Sequence, residues 1–205
     1  MKTVKFNTRS EFLKYIKGNS IEEIGRGREG IAFLTRDGRV IKYIESGLAK
    51  EYQLNDKTLL TTDVVWLESF YLPEVIYAIG NKIIGYETRY FSNNLFDKKG
   101  KINQTFIDHL LIARKNLLRD AKVLCDHHFF IYDAPPNILF NGKNLAFIDT
   151  LNYKYNPKVK LIENQMVLDH AICCALSKYD ESFKYQYFEG LGLALKKNNY
   201  SNTIK

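Results

Sequence analysis

Three polar residues in the second half of the chain are of types and at spacings that could do chemistry. Asn137 and Asp149 stand at the two ends of a segment that reads as a β-hairpin: Ile138-Leu139-Phe140, then Asn141-Gly142-Lys143-Asn144, then Leu145-Ala146-Phe147-Ile148. The turn brings those ends together, and an amide oxygen beside a carboxylate is a fit pair of hard ligands for Mg²⁺. Asp133, just upstream, could orient or deprotonate a hydroxyl. Taken singly, each of the three reads first as a loop cap. A second set lies in the first half. Gly25-x-Gly27-x-x-Gly30 runs into a β-prone stretch and a turn at Asp37-Gly38. Glycines in a hairpin let backbone N–H groups approach phosphates. They do not open a helix, as a dinucleotide-binding loop must. Lys42 follows in the next strand, where alternation puts Val40, Lys42 and Ile44 on one face and Ile41 and Tyr43 on the other. A lysine on a core-facing side needs an anionic partner; on an edge strand it would face water.

The elements that must position these residues are legible as patterns. Thr8-Arg9-Ser10-Glu11 ahead of Phe12, Leu13, Tyr15 and Ile16 predicts a capped first helix. Strands are predicted at Ile21–Gly25, Ile31–Thr35 and Arg39–Ile44, then at Glu74–Ile79 and Lys82–Thr88 with Gly80-Asn81 as the turn. Between the two groups, Ser46 is placed to cap a helix carrying Leu48, Glu51, Tyr52 and Leu59. Asn93-Asn94 and Asp97-Lys98-Lys99-Gly100 form a connection. Thr105-Phe106-Ile107-Asp108 reads as a capping box, and Ile107, Leu110, Leu111, Leu117, Leu118, Ala121 and Leu124 recur at helical spacing. Pro135-Pro136 forces a defined loop ahead of the second hairpin. Helices are predicted over Glu163–Lys178 and Glu181–Lys196, with a frayed polar tail from Asn198. A β-rich half followed by a helical half with one embedded hairpin defines an α+β class.

Taken together and in order, from Ile21 to Leu176, these features resemble the protein kinase superfamily. The Gly-rich loop and Val40-Ile41-Lys42 look like its N-lobe signature. Tyr132-Asp133 through Asn137-Ile138-Leu139 look like its catalytic loop, and Phe147-Ile148-Asp149-Thr150-Leu151 like its metal-binding motif. Val167-Leu168-Asp169-His170-Ala171 is similar to the start of the helix whose Asp braces the catalytic loop. The resemblance implies a two-lobed fold, with a small β-rich N-lobe over residues 1–91 and a reduced helical C-lobe over 92–205. It implies that Gly25, Gly27 and Gly30 cover the ATP phosphates. Lys42 would bind the α- and β-phosphates and pair with a helix carboxylate, for which Glu51 is the best candidate. Glu87 to Tyr90 would form the hinge beside adenine. Asp133 would be the catalytic base, and Asn137 and Asp149 would hold Mg²⁺, or Mn²⁺ in its place.

The chain departs from the family at several points. Ile131-Tyr132 replaces the usual His-Arg, and Asp133 to Asn137 is one residue shorter than the family spacing, so an ungapped alignment puts Tyr132 at the base position. Pro135 stands where Ser/Thr kinases carry a lysine, Thr150-Leu151 replaces Phe-Gly, and no Ala-Pro-Glu follows. The activity implied is transfer of the ATP γ-phosphate to Ser/Thr hydroxyls of a protein, in the manner of bacterial eukaryotic-like or injected effector kinases. The alternatives are a small-molecule phosphotransferase of the aminoglycoside or choline kinase type, and a pseudokinase that binds nucleotide only. The net charge of +7 suits an anionic ligand or an acidic protein partner. The lysines are scattered rather than interleaved with aromatics, so nucleic acid is not expected. No apolar run is long enough to cross a bilayer, and Met1–Phe6 lacks the apolar core of a secretory signal. A cytoplasmic monomer, or a protein translocated into a host cell, is the expectation. Cys125, Cys173 and Cys174 read as three reduced, buried thiols.

Overall fold

A computed structural model describes residues 2–45, 47, 51–56, 59–96, 103–178 and 181–201, the stretch 193–201 by backbone alone. The chain is α+β and divides into two compact units, Met1–Leu67 with Tyr71–Tyr90, and Glu68–Phe70 with Phe91–Lys205. In the first unit, strands β1 (Lys2–Lys5), β2 (Ser20–Gly27), β3 (Gly30–Thr35), β4 (Arg39–Ile44), β5 (Val75–Ile79) and β6 (Lys82–Arg89) form one mixed sheet in the order β1-β5-β6-β4-β3-β2. Only β1 pairs in parallel, with β5, an edge strand the sequence pattern did not suggest. The tight turns are made by residues in left-handed backbone, Gly38 (φ 75°) between β3 and β4 and Gly80 (φ 57°) between β5 and β6.

Helix α1 (Arg9–Asn19) opens as its sequence predicts. The Thr8 side chain accepts from Glu11 N–H at 3.2 Å, and the Glu11 carboxylate accepts from Asn7 N–H at 2.9 Å. Its apolar stripe, Phe12 and Ile16, is buried on one face of the sheet against Ile41, Val75, Tyr77 and Ile84. Burying a side chain such as Phe12 stabilises the unit by about 1.5–3 kcal/mol. Phe6, Phe12 and Tyr77 meet there with ring centroids 5.1 and 4.8 Å apart. Gly85 permits this approach, since a Cβ there would lie 2.7 Å from the Phe12 ring and 2.6 Å from the Lys42 carbonyl.

The helix expected after β4 is not formed in its described part: residues 51–56 and 59–60 are non-helical, and Ser46 and Leu48 lie outside the described residues. The reason is an open strand edge. Strand β6 pairs with β4 only from Gly85 onward. Its first residues instead take Tyr52 to Leu54 as a partner, Ile83 N–H donating to Tyr52 O and Leu54 N–H to Asn81 O, each at 2.9 Å. Backbone groups at that edge are thereby satisfied.

The second unit is built on α2 (Gln104–Asp126), with β7 (Phe129–Phe130), the hairpin β8 (Ile138–Phe140) and β9 (Leu145–Phe147), β10 (Lys154–Tyr155), α3 (Leu161–Ser177) and α4 (Glu181–Ser201). The cap of α2 is Asn103, whose side chain accepts from Phe106 N–H at 2.9 Å, and not the Thr105 box. Helix α4 continues over Asn198–Ser201, where fraying was expected. Phe96, Phe106 and Phe140 form an edge-on aromatic cluster, and Phe70 stacks on Phe147 at 5.6 Å. All three cysteines are free, but only Cys173 is buried; Cys125 and Cys174 are half-buried. Burial, followed by the nearby Asp169 and Cys174, pushes the Cys173 thiol up to about 11. No helix among the described residues is long and apolar enough to cross a membrane.

Candidate functional site

In the first unit, β2 and β3 form the glycine hairpin, closing at Gly27 opposite Gly30. Gly30 is required by the fold: its φ is 154°, and a Cβ would overlap the Tyr43 carbonyl. Gly25 and Gly27 are different, for nothing lies within 4 Å of where their Cβ atoms would be. Packing therefore does not account for them. Lys42 is half-buried in mid-sheet, between Ala32 of β3 and Tyr86 of β6. Ile41 packs with α1, so alternation puts Lys42 on the opposite face of the sheet.

The other nucleotide candidates of this unit are placed less simply. Glu51 is exposed in a non-helical segment, and its carboxylate is engaged by Lys82. Glu87 lies in β6 with its side chain on the α1 face. Its carboxylate accepts from Arg39 Nε at 3.0 Å and from the Tyr77 hydroxyl at 2.8 Å, and its carbonyl accepts from Glu74 N–H at 2.9 Å. These bonds tie the Glu87 side chain into the sheet. Burial, with Tyr15 and Glu87 adding to it, raises the Tyr77 phenol far above its usual range. Tyr90 follows β6 with its ring exposed.

In the second unit the structure brings Asp133, Asn137 and Asp149 to one end of the β8–β9 hairpin. Ile138 pairs with Phe147, and Ile148 N–H donates to Asn137 O at 3.0 Å, so the ladder runs one step past the strands and sets Asn137 beside Asp149. Pro135–Asn137 form a single 3₁₀ turn, with Asn137 N–H bonded to Ala134 O at 3.0 Å. The prolines sit at its start, where no N–H is needed. Asn137 Nδ2 donates to Asp133 O at 2.8 Å. That bond fixes the amide, leaving Oδ1 on its other side as an acceptor. Asp133 (φ 55°) and Asp149 (φ 60°) both adopt left-handed backbone. For residues with a Cβ this costs about 1–3 kcal/mol each, and such residues cluster at functional sites.

The loop that carries Asp133 is tied down from α3. Asn164 is fully buried; its side chain donates to Phe129 O at 2.9 Å and accepts from Ile131 N–H at 2.8 Å. Asp169 does not touch that loop through these bonds. It receives Arg114 in two bonds of 2.6 Å and the Tyr187 hydroxyl at 2.7 Å, joining α3 to α2 and α4. Sequence reasoning passed over Asn164, although it lies on the apolar stripe of Leu168, Ala171 and Ala175, where a polar residue needs partners. Asp120 was missed as well. It is buried and accepts from Ser69 N–H at 2.8 Å, while Ser69 O accepts from Phe147 N–H at 2.8 Å, so it supports β9 from outside.

The donor set fits a hard cation: an amide oxygen left available by its own hydrogen bond, beside a carboxylate. Tyr153, four residues past Asp149, adds to this. Its hydroxyl is buried and has no hydrogen-bond partner among the described residues. Burial, with the Asp149 carboxylate adding to it, raises its phenol well above the usual range. The water shell of an ion on Asp149 would give that hydroxyl a partner. No group of three or more His, Cys, Asp or Glu residues able to hold a metal occurs among the described residues, so any cation here relies on Asn137 and on oxygens from a ligand. No family model matches the chain, and no curated protein matches it.

Proposed function

We propose that the chain is a minimal protein kinase that transfers the γ-phosphoryl of ATP to Ser or Thr hydroxyls of a protein. The observation that carries this reading is the joining of Asn137 and Asp149 at one hairpin end, with Asp133 held against Asn137 by the same turn. In this reading the exposed backbone of Gly25 and Gly27 lies over the ATP phosphates, and the Lys42 ammonium neutralises the α- and β-phosphates. Asn137 and Asp149 would hold Mg²⁺, and the ion would supply neutralisation of the negative charge on the phosphates. Asp133 takes the proton of the acceptor hydroxyl as its oxygen bonds to the γ-phosphorus. The bond from that phosphorus to the β,γ-bridging oxygen breaks, and ADP leaves. The arrangement as a two-lobed kinase fold belongs to this proposal.

The test is an assay with Mg²⁺ and γ-labelled ATP on a cell lysate, comparing the native chain with Lys42→Ala and Asp149→Ala. The native chain should label protein, and both variants should lose transfer by at least about 100-fold while remaining folded by circular dichroism. Full activity in Asp149→Ala would refute the metal assignment. A second reading, a module that binds nucleotide without transferring phosphate, is favoured by the Asp133–Asn137 spacing, one residue shorter than that of the kinase catalytic loop it resembles. Tight ATP binding with no labelling would select it.

A further inference from the structure

The segment that follows Asp149 is basic and runs beside the candidate base. From Thr150 to Ile162 the chain has Lys154, Lys158 and Lys160 and no acidic residue. Strand β10 pairs antiparallel with β7, Lys154 opposite Phe130. Asn156 N–H then donates to His128 O at 2.7 Å, and the Cys125 thiol donates to Val159 O at 3.5 Å. These bonds lay the segment back along the chain that leads into Asp133. At its start, Lys154 Nζ sits 3.6 Å from the centroid of the exposed Tyr132 ring, the residue next to Asp133. An aromatic face holds an ammonium in place without cancelling its charge. No carboxylate among the described residues pairs with Lys154, Lys158 or Lys160. Of the acids near the segment, Asp126 accepts from Lys122 at 2.6 Å, and Glu163 accepts from the Lys160 main-chain N–H at 2.7 Å.

Resting on the phosphoryl-transfer reading, we infer that the acceptor is an acidic peptide, a Ser or Thr hydroxyl flanked by carboxylates that Lys154 reads beside Asp133. A hydroxyl at Asp133 places the neighbouring residues of an extended peptide within reach of a cation fixed over Tyr132. Lys158 and Lys160 continue the same charge along the segment, and the net charge of +7 draws an acidic chain toward it. A basic flank would instead meet like charge at this position.

The experiment uses the whole chain with Mg²⁺-ATP and two sets of Ser/Thr peptides of equal length, one with Asp/Glu flanks and one with Lys flanks. The wild type should favour the acidic set by roughly fivefold in kcat/KM. Lys154→Arg should keep that ratio, and Lys154→Glu should reverse it in favour of the Lys set. Equal kcat/KM for the two sets in the wild type, or an unchanged ratio in Lys154→Glu, overturns the inference and leaves the transfer reading standing. A wild type that labels neither peptides nor protein overturns both.

Discussion

At the scale of single residues, the strongest constraint on the candidate site is a side chain with no chemistry of its own. Asn164 satisfies one carbonyl and one N–H of the segment Phe129–Ile131, both inside the protein. Asn164→Ala should lower stability by about 2–4 kcal/mol, because both backbone groups would stay buried and unpaired. A urea titration with unchanged m-value would show it, and a loss below about 0.5 kcal/mol would mean that water replaces the amide. Asp169, which the resemblance singled out, works differently, closing an ion pair with Arg114 in a setting where both side chains are less than one-fifth exposed. Arg114→Met should therefore destabilise by about 3 kcal/mol, through the charge left without its partner. The resemblance put the brace of this loop at Asp169, whereas the bonds to Phe129 and Ile131 come from Asn164. Which polar residue reaches the loop depends on the face of α3 that meets β7, and spacing alone does not give that face.

At the scale of elements, the glycine hairpin separates structural from functional demand. Gly30→Ala should cost about 2–4 kcal/mol, because the new Cβ overlaps the Tyr43 carbonyl. Gly25→Ala and Gly27→Ala should leave the thermal midpoint of the free protein nearly unchanged, since both positions open onto empty space, and should weaken ATP binding. Unchanged ATP affinity in both variants would show that this loop does not contact phosphates. Elements made by local signals were readable in advance: the Asp37-Gly38 and Gly80-Asn81 turns, the Thr8 cap, and the Asn141–Asn144 turn that joins β8 to β9. The misses share one cause, which is partners distant in sequence. The segment after β4 has the residue types of a helix, yet the open edge of β6 takes it as a partner through Tyr52, Gln53 and Leu54. Strand β1 depends on an edge that β5 provides, and β10 on its pairing with β7.

At the scale of the whole molecule, the α+β class could be read from the order of patterns, because strands and helices segregate along the chain. The candidate residues are divided in the same way: glycines and Lys42 in one unit, Asp133, Asn137 and Asp149 in the other. The proposed function requires both sets to act on one ATP molecule, and its most direct test is calorimetric titration of ATP in the presence of Mg²⁺. The account predicts binding by the native chain and at least about tenfold weaker binding in Lys42→Ala and in Asp149→Ala, with the double variant losing less than the sum of the two. Binding left intact by both substitutions, or no ATP binding by the native chain, would contradict it.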